Sequence, residues 1–225
     1  VEGFDDFEEV KGGLMGLIIG KVLEVTQHPN ADKLSLTRVD TGLTQPLQIV
    51  CGAPNVAAGQ TVVVAPVGAT IYPKGNPAMT MRIAKIRGVE SHGMICAEDE
   101  IGLGDSHDGI MVLADGIQPG LAAAEYFKPY SDKIISIGLT PNRSDAMSHI
   151  GVARDICAWL NHHEQLNLSV KSPYGANLSA SDNSVPITVT IENPAACHRY
   201  SGVSIAGVTV GPSPMWLQKK LKAIG

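Results

Sequence analysis

The sequence predicts a mainly β protein with an α+β second part, in which the first half folds into a small closed barrel of five strands. From about Leu14 to Leu113, short β-rich runs alternate with Gly, Pro and Asn punctuation, and no long helical pattern interrupts them. Helical periodicity begins only after Gly120. The predicted barrel strands are Leu17 to Val25, Leu34 to Val39, Leu47 to Cys51, Thr61 to Val67 and Arg82 to Ile86.

The composition limits which nucleic-acid interactions are feasible. The chain has 225 residues, compatible with two domains, and 44% of them are hydrophobic, enough for sizeable cores. The formal net charge of −5 argues against a nonspecific nucleic-acid binder, because such proteins carry a basic footprint. Only 4% of residues are aromatic, so a base-stacking platform is poorly supplied. Any RNA contact must therefore use a local basic patch.

The cysteines and the two ends of the sequence indicate the cellular compartment and the extent of the protein. Cys51, Cys96, Cys157 and Cys197 are far apart and form no C-x-x-C pair, which argues against zinc and disulfides and favours a reducing cytoplasm. No apolar run approaches the roughly 18 residues of a membrane span, and the acidic start is unlike a signal peptide. The sequence has no initiator Met and stops after a helix-like run, so we expect it to be part of a longer protein.

A polar turn, HPNADKL from His28 to Leu34, joins the first two predicted strands. Its proline fixes φ, while its Asn and Asp side chains can bond their own backbone and tolerate tight turns. We expect an exposed, rigid connection that presents His28, Asn30 and Lys33. Such loops suit RNA binding because their side chains can contact both phosphates and exposed base edges. An ordinary polar turn is the alternative interpretation.

The best basic cluster lies around the last predicted barrel strand. It comprises Lys74, Arg82, Lys85 and Arg87, with Glu90 as the only acid between positions 74 and 90. Strand alternation places Lys85 and Arg87 on one face, where the pair could bridge adjacent phosphates. The alternative is an ordinary solvated strand face.

Two segments contain residues of catalytic or metal-binding type. Ser91 to Cys96 is followed by acids at positions 98–100, but these form a continuous run that favours a solvated loop. His162 and His163 follow a predicted helix end and have no third ligand. We therefore assign no catalytic residue and no metal ligand.

The second half is predicted to contain a strand at Lys133 to Leu139 and a helix from Ser144 to Asn161, with Ser144 as its N-cap. Met147, Ile156 and Trp159 widen the apolar stripe of this helix. We expect the helix either to pack on the barrel or to be covered by self-association. The stripe itself comprises Ala146, Ile150, Ala153, Cys157 and Leu160.

The remaining sequence indicates a linker and then the opening of a further domain. Residues 171–184 are rich in Ser, Asn and Gly, which indicates the linker. Strands are predicted at Val185 to Ile191 and Tyr200 to Val210, and a helix at Pro214 to Leu221. The expected order is an acidic lead-in at 1–13, the barrel at 14–124, a strand–helix segment at 125–170, the linker, and the new domain at 185–225.

Two pairs of segments carry a resemblance to known proteins. His28 to Leu34 and Ile49 to Asn55 (IVCGAPN) together resemble the tRNA-binding OB-fold module appended to several aminoacyl-tRNA synthetases. Thr140 to Asp145 (TPNRSD) and Glu192 to Tyr200 (ENPAACHRY) resemble the beta subunit of bacterial phenylalanyl-tRNA synthetase. The resemblance runs from about Gly12 to Gly225, as an N-terminal fragment of that subunit.

This resemblance implies an OB-type barrel, a split domain that includes 1–13 and 125–170, and the start of an editing-type α/β domain. It implies a phenylalanine–tRNA ligase whose alpha subunit, in an α2β2 tetramer, carries aminoacylation with ATP and Mg²⁺. This chain would contribute tRNA-Phe binding and subunit architecture, with no cofactor of its own. The candidate tRNA-binding residues are His28, Asn30, Lys33, Lys74, Arg82, Lys85 and Arg87.

Two other functions stay open from the sequence. A stand-alone or appended tRNA-binding OB module of another synthetase would explain the first turn, but it has no use for the chain after Thr140. A structural spacer without RNA contact is favoured by the acidic net charge. Binding of tRNA-Phe across a salt series separates these functions.

Overall fold

The computed structural model describes residues 1–171 and 185–225 of the chain. These residues form two compact units, one of Gly3–Ile135 with Lys219–Gly225 and one of Val1–Glu2 with Ser136–Gln218. Nearly all of the predicted linker, residues 172–184, lies outside the described residues.

An antiparallel barrel forms the body of the larger unit. Its strands are β2 (Ile18–Gln27), β3 (Ser35–Asp40), β4 (Leu47–Cys51), β5 (Thr61–Pro66), β10 (Gly93–Ile95) and β11 (Val112–Leu113). Their spatial order is β10-β5-β2-β3-β4, with β11 also paired to β5. The sheet nearly closes because the His92 N–H donates to the Gln48 carbonyl at 2.8 Å and the Val50 N–H donates to Ser91 Oγ at 3.1 Å. This five-stranded barrel confirms the predicted fold class.

The fifth barrel strand is not the predicted one. In place of Arg82 to Ile86, the barrel uses β10, while Ala84–Ile86 (β8) pairs with Val89–Ser91 (β9) in a separate hairpin. The solvated loop predicted from Ser91 to Cys96 is therefore wrong, because this segment supplies buried side chains to the barrel. A second short hairpin joins Thr70–Ile71 (β6) to Met79–Thr80 (β7).

Strand β5 is buried on both faces, which explains its unbroken apolar sequence. Val62 and Val64 belong to the cluster that includes Val22, Val39 and Ile49. The alternate residues of the strand belong to a second cluster, to which the short helix α1 (Ala123–Phe127) contributes. The sequence pattern did not predict this helix.

The acidic start of the chain is a strand. Gly3–Glu8 (β1) forms a two-stranded sheet with Ser131–Ser136 (β12). Asp6 forms an ion pair with Lys133 across this pair of strands. The strand predicted at Lys133 to Leu139 thus exists, but it begins and ends earlier.

The smaller unit contains α2 (His149–His163), and its N-cap differs from the prediction. Ser148 is the cap, since its Oγ accepts a hydrogen bond from the Gly151 N–H at 3.2 Å, whereas Ser144 lies in a preceding 3-10 turn. A Cβ at Gly151 would collide with the carbonyl oxygen of Asp145. Glycine therefore permits the helix to start this close to the turn.

The end of the chain forms fewer strands than predicted. The segments 185–191 and 200–210 join no backbone ladder in the part of the chain that the structure describes, and a strand needs such a partner. The predicted C-terminal helix is confirmed as α3 (Met215–Ile224). Among the helices at residues 1–171 and 185–225, none is long and apolar enough to cross a membrane.

Candidate nucleic-acid interface

Two turns that are far apart in the sequence meet in the barrel unit. One is the β2–β3 turn at residues 28–34, and the other is the β8–β9 turn at Arg87 and Gly88. The Asn30 side-chain amide donates to the Arg87 carbonyl at 3.0 Å, and His28 Nε2 lies 3.1 Å from the Ile86 carbonyl oxygen. Direct hydrogen bonds thus bring together the two segments that contain most of the predicted RNA-binding side chains.

The β8–β9 hairpin has a two-residue turn with left-handed backbone. Arg87 and Gly88 have φ values of +48° and +94°, as a type I′ turn requires. Arg87 therefore lies in the turn and not in the strand, so the predicted strand face shared by Lys85 and Arg87 does not exist. Lys85 lies opposite Glu90 in the ladder, where the opposite charges are neighbours.

His28 is buried, so the prediction that the turn presents its side chain is wrong. Its side chain is 2% exposed, although Asn30 and Lys33 in the same turn are exposed. The Asn30 N–H donates to His28 Nδ1 at 3.1 Å. The ring is therefore protonated at Nε2, which donates to the Ile86 carbonyl. His28 organises the two turns and is not available to a ligand.

The candidate cations differ in whether their charge is already paired with a carboxylate. Lys33, Arg82, Lys85 and Arg87 are exposed, and none of them forms an ion pair within the described ranges. Lys74 forms an ion pair with Asp105, and this hydrogen bond raises the pKa of Lys74 and lowers the pKa of Asp105. A phosphate would have to compete with that carboxylate for Lys74.

Arg82 lines a groove of about 600 Å³ beside the two hairpins. Met79, Met81 and Met94 also line it, and the Ser91 hydroxyl in its wall already donates to the Gly93 carbonyl at 2.9 Å. The groove thus offers apolar contact with few free polar groups. Of the predicted cations, Arg82 is the one that borders this space.

Sequence reasoning missed the role of Asn55, the last residue of IVCGAPN. Asn55 Oδ1 accepts from the Ile110 N–H and its Nδ2 donates to the Ile110 carbonyl, both at 2.9 Å. The side chain thus pairs with the backbone of Ile110 as a neighbouring strand would. Asn side chains commonly bond to backbone groups, but the sequence does not indicate a partner 55 residues further along the chain.

The described residues do not fit the metal ion that the resemblance implies for the complete enzyme. At residues 1–171 and 185–225, no group of three or more His, Cys, Asp or Glu side chains could hold a metal ion.

Known proteins are similar to this chain both over the barrel and over its whole length. Residues 17–122 match the family described as "Putative tRNA binding domain". Phenylalanine–tRNA ligase beta subunits of Bacteroides fragilis and Porphyromonas gingivalis are each 50% identical over 223 residues, which is 99% of this chain and 27% of the relative. The C-terminal domain of Plasmodium vivax p43 is 24% identical, covers 46% of this chain and 56% of its own, and has a TM-score of 0.33.

Residues 17–122 thus fold as an OB-type barrel and match a family of tRNA-binding domains. The whole chain is homologous to the beta subunits of phenylalanine–tRNA ligase. It spans about a quarter of the length of those relatives, 27% in both cases above.

Proposed function

We propose that this chain binds tRNA-Phe through Lys33, Lys85 and Arg87, and that it does so as part of a cytoplasmic phenylalanine–tRNA ligase. The observation that supports this most is the hydrogen bond from Asn30 to the Arg87 carbonyl, which joins the two turns that carry these cations. All three cations are exposed, so they can reach phosphates.

The proposed contact is mainly electrostatic. Each cation would neutralise a backbone phosphate and release counterions, so that affinity falls as salt rises. Arg82 extends the same surface towards the groove. The net charge of −5 keeps the remaining surface unattractive to RNA, which confines binding to this patch.

The proposal assigns the chemical step to other parts of the ligase. We infer an α2β2 assembly in which the alpha subunit attaches phenylalanine with ATP and Mg²⁺, while this chain supplies tRNA binding and subunit architecture. We expect the 225-residue chain alone neither to aminoacylate tRNA-Phe nor to hydrolyse mischarged Tyr-tRNA. Turnover in either assay would contradict this assignment.

Binding of tRNA-Phe by the full chain across a salt series tests the proposal. Lys33→Ala and Arg87→Ala should each weaken binding and lower the magnitude of the log–log salt slope by about 0.7 to 0.9. Lys74→Ala is the matched control, since its cation is exposed but already paired with Asp105. If all three variants bind like the unaltered chain, the cationic patch has no role.

A structural spacer is the second candidate, favoured by the acidic net charge and by Glu90 opposite Lys85. A spacer would organise subunits without touching RNA. It predicts no measurable affinity for tRNA-Phe at low salt, where electrostatic binding is strongest.

A further inference from the structure

We propose that His28 and Asn30 are positioning residues, which hold the β8–β9 hairpin that carries Lys85 and Arg87 against the turn that carries Lys33. We name this pair the His28–Asn30 clamp. The proposal rests on the proposed function, since it concerns how that RNA-binding surface is kept in shape.

The clamp consists of three hydrogen bonds in series. The Asn30 N–H donates to His28 Nδ1 at 3.1 Å, His28 Nε2 donates to the Ile86 carbonyl at 3.1 Å, and Asn30 Nδ2 donates to the Arg87 carbonyl at 3.0 Å. Two successive carbonyls of the hairpin are thus fixed by two residues of one turn. The first bond also fixes which ring nitrogen of His28 carries the proton.

The tip of the hairpin depends on this clamp more than its base does. The base is joined to β4, because Gln48 Nε2 donates to the Glu90 carbonyl at 2.8 Å and the His92 N–H donates to the Gln48 carbonyl. Apart from the ladder with Val89–Ser91, the hydrogen bonds that residues 84–88 form with the described part of the chain are those from His28 and Asn30. A two-stranded hairpin is at most marginally stable by itself, so its tip needs such an attachment.

A direct role of His28 in binding is inconsistent with its burial. Only 2% of the side chain is exposed, and both ring nitrogens are occupied by backbone groups. Its effect on RNA must therefore pass through the residues that it holds. Pre-organised cations lose less conformational freedom on binding, so loss of the clamp should weaken affinity without removing a phosphate contact.

The first test uses the free chain and needs no RNA. Asn30→Ala removes the bond to the Arg87 carbonyl at an exposed position where folding is not at risk. Amide hydrogen exchange of residues 85–90, followed by NMR, should accelerate about three- to ten-fold, as expected for one lost hydrogen bond. Gln27→Ala is the matched control, because Gln27 bonds within the same turn, to Ala31 and Asp32, and not to the hairpin.

The second test measures tRNA-Phe affinity across a salt series. Asn30→Ala should bind about three- to ten-fold more weakly with an unchanged salt slope, because no cation is lost. In a background of Lys85→Ala with Arg87→Ala, the same substitution should have no effect, since the hairpin then has no cations to position. His28→Gln, which retains side-chain donor and acceptor groups, should bind more tightly than His28→Ala.

The outcomes separate this proposal from the proposed function. Hairpin exchange in Asn30→Ala that stays at the rate of the unaltered chain would overturn the clamp, whatever the RNA result. An equal loss of affinity with and without the hairpin cations would overturn its positioning role and indicate direct contact by Asn30. If the unaltered chain binds no tRNA-Phe, the proposed function and the positioning role both fail, while the exchange rates still report whether the clamp holds the hairpin.

Discussion

Asn55→Ala should destabilise the barrel unit measurably. The substitution removes both side-chain hydrogen bonds to Ile110, each 2.9 Å long, and leaves the N–H and carbonyl of that residue without their partner. Each bond is worth about 1 kcal/mol net, so the expected loss in the free energy of unfolding is about 2 kcal/mol. For a unit of this size, that corresponds to a Tm lower by roughly 6 °C.

Asn55→Asp is the matched control for this prediction. Its carboxylate can still accept from the Ile110 N–H, but its second oxygen would face the Ile110 carbonyl and cannot donate to it. We therefore expect Asn55→Asp to lose at least the free energy of that one bond, about 1 kcal/mol. Chemical denaturation followed by the β-sheet band of circular dichroism measures both variants. An Asn55→Ala chain within about 0.5 kcal/mol of the unaltered one would refute the assignment of Asn55 as a substitute strand partner.

Other side chains have measurable consequences for reactivity, titration and assembly. Burial raises the pKa of the Cys96 thiol to about 12, so this thiol should not react with thiol reagents at neutral pH until the chain unfolds. Rapid modification of Cys96 in the native chain would contradict this prediction. His107 Nδ1 donates to the Asp99 carboxylate at 3.0 Å, which raises the pKa of His107. The pair therefore stabilises the fold below the ordinary histidine pKa and loses this effect as pH rises through the raised value. An NMR titration should show this raised pKa, and Asp99→Asn should reduce the shift, leaving the smaller contributions of Glu100 and Asp108. Trp159 and Met147 are 55% and 68% exposed, and exposed apolar side chains of this kind promote association. Trp159→Glu should therefore reduce self-association as measured by light scattering. A chain that is monomeric before and after the change would contradict this expectation.

The strands of the barrel were largely predictable, because turn residues bracket each apolar run. Leu47–Cys51 agrees with its predicted bounds, Thr61–Pro66 ends one residue earlier than predicted, and Ser35–Asp40 begins and ends one residue later than predicted. The prediction of the fifth strand was wrong because Gly93–Ile95 is too short to show the two-residue alternation of a strand. The longer run at Arg82 to Ile86 does show this alternation. Which short run closes a barrel is decided by tertiary pairing, and alternation in the sequence does not report it.

The candidate site was predictable in its residue types but not in its geometry. Polar and cationic side chains at turns indicated RNA, and Asn30 does lie beside Arg87. The burial of His28 was not predictable, because it depends on a carbonyl 58 residues away in the sequence. The ion pair that occupies Lys74 likewise depends on the fold of a distant loop.

The most direct test of the central claim is NMR mapping of the amide signals of the full chain as tRNA-Phe is added at low salt. The account predicts that signals of residues 30–33 and 85–88 shift or broaden first, and that added salt reverses the change. It also predicts that tRNA addition leaves the signals around Lys74 largely unchanged, since that cation is paired with Asp105. Changes confined to residues 136–171 and 185–225, or none at all, would contradict the claim that these two turns bind tRNA.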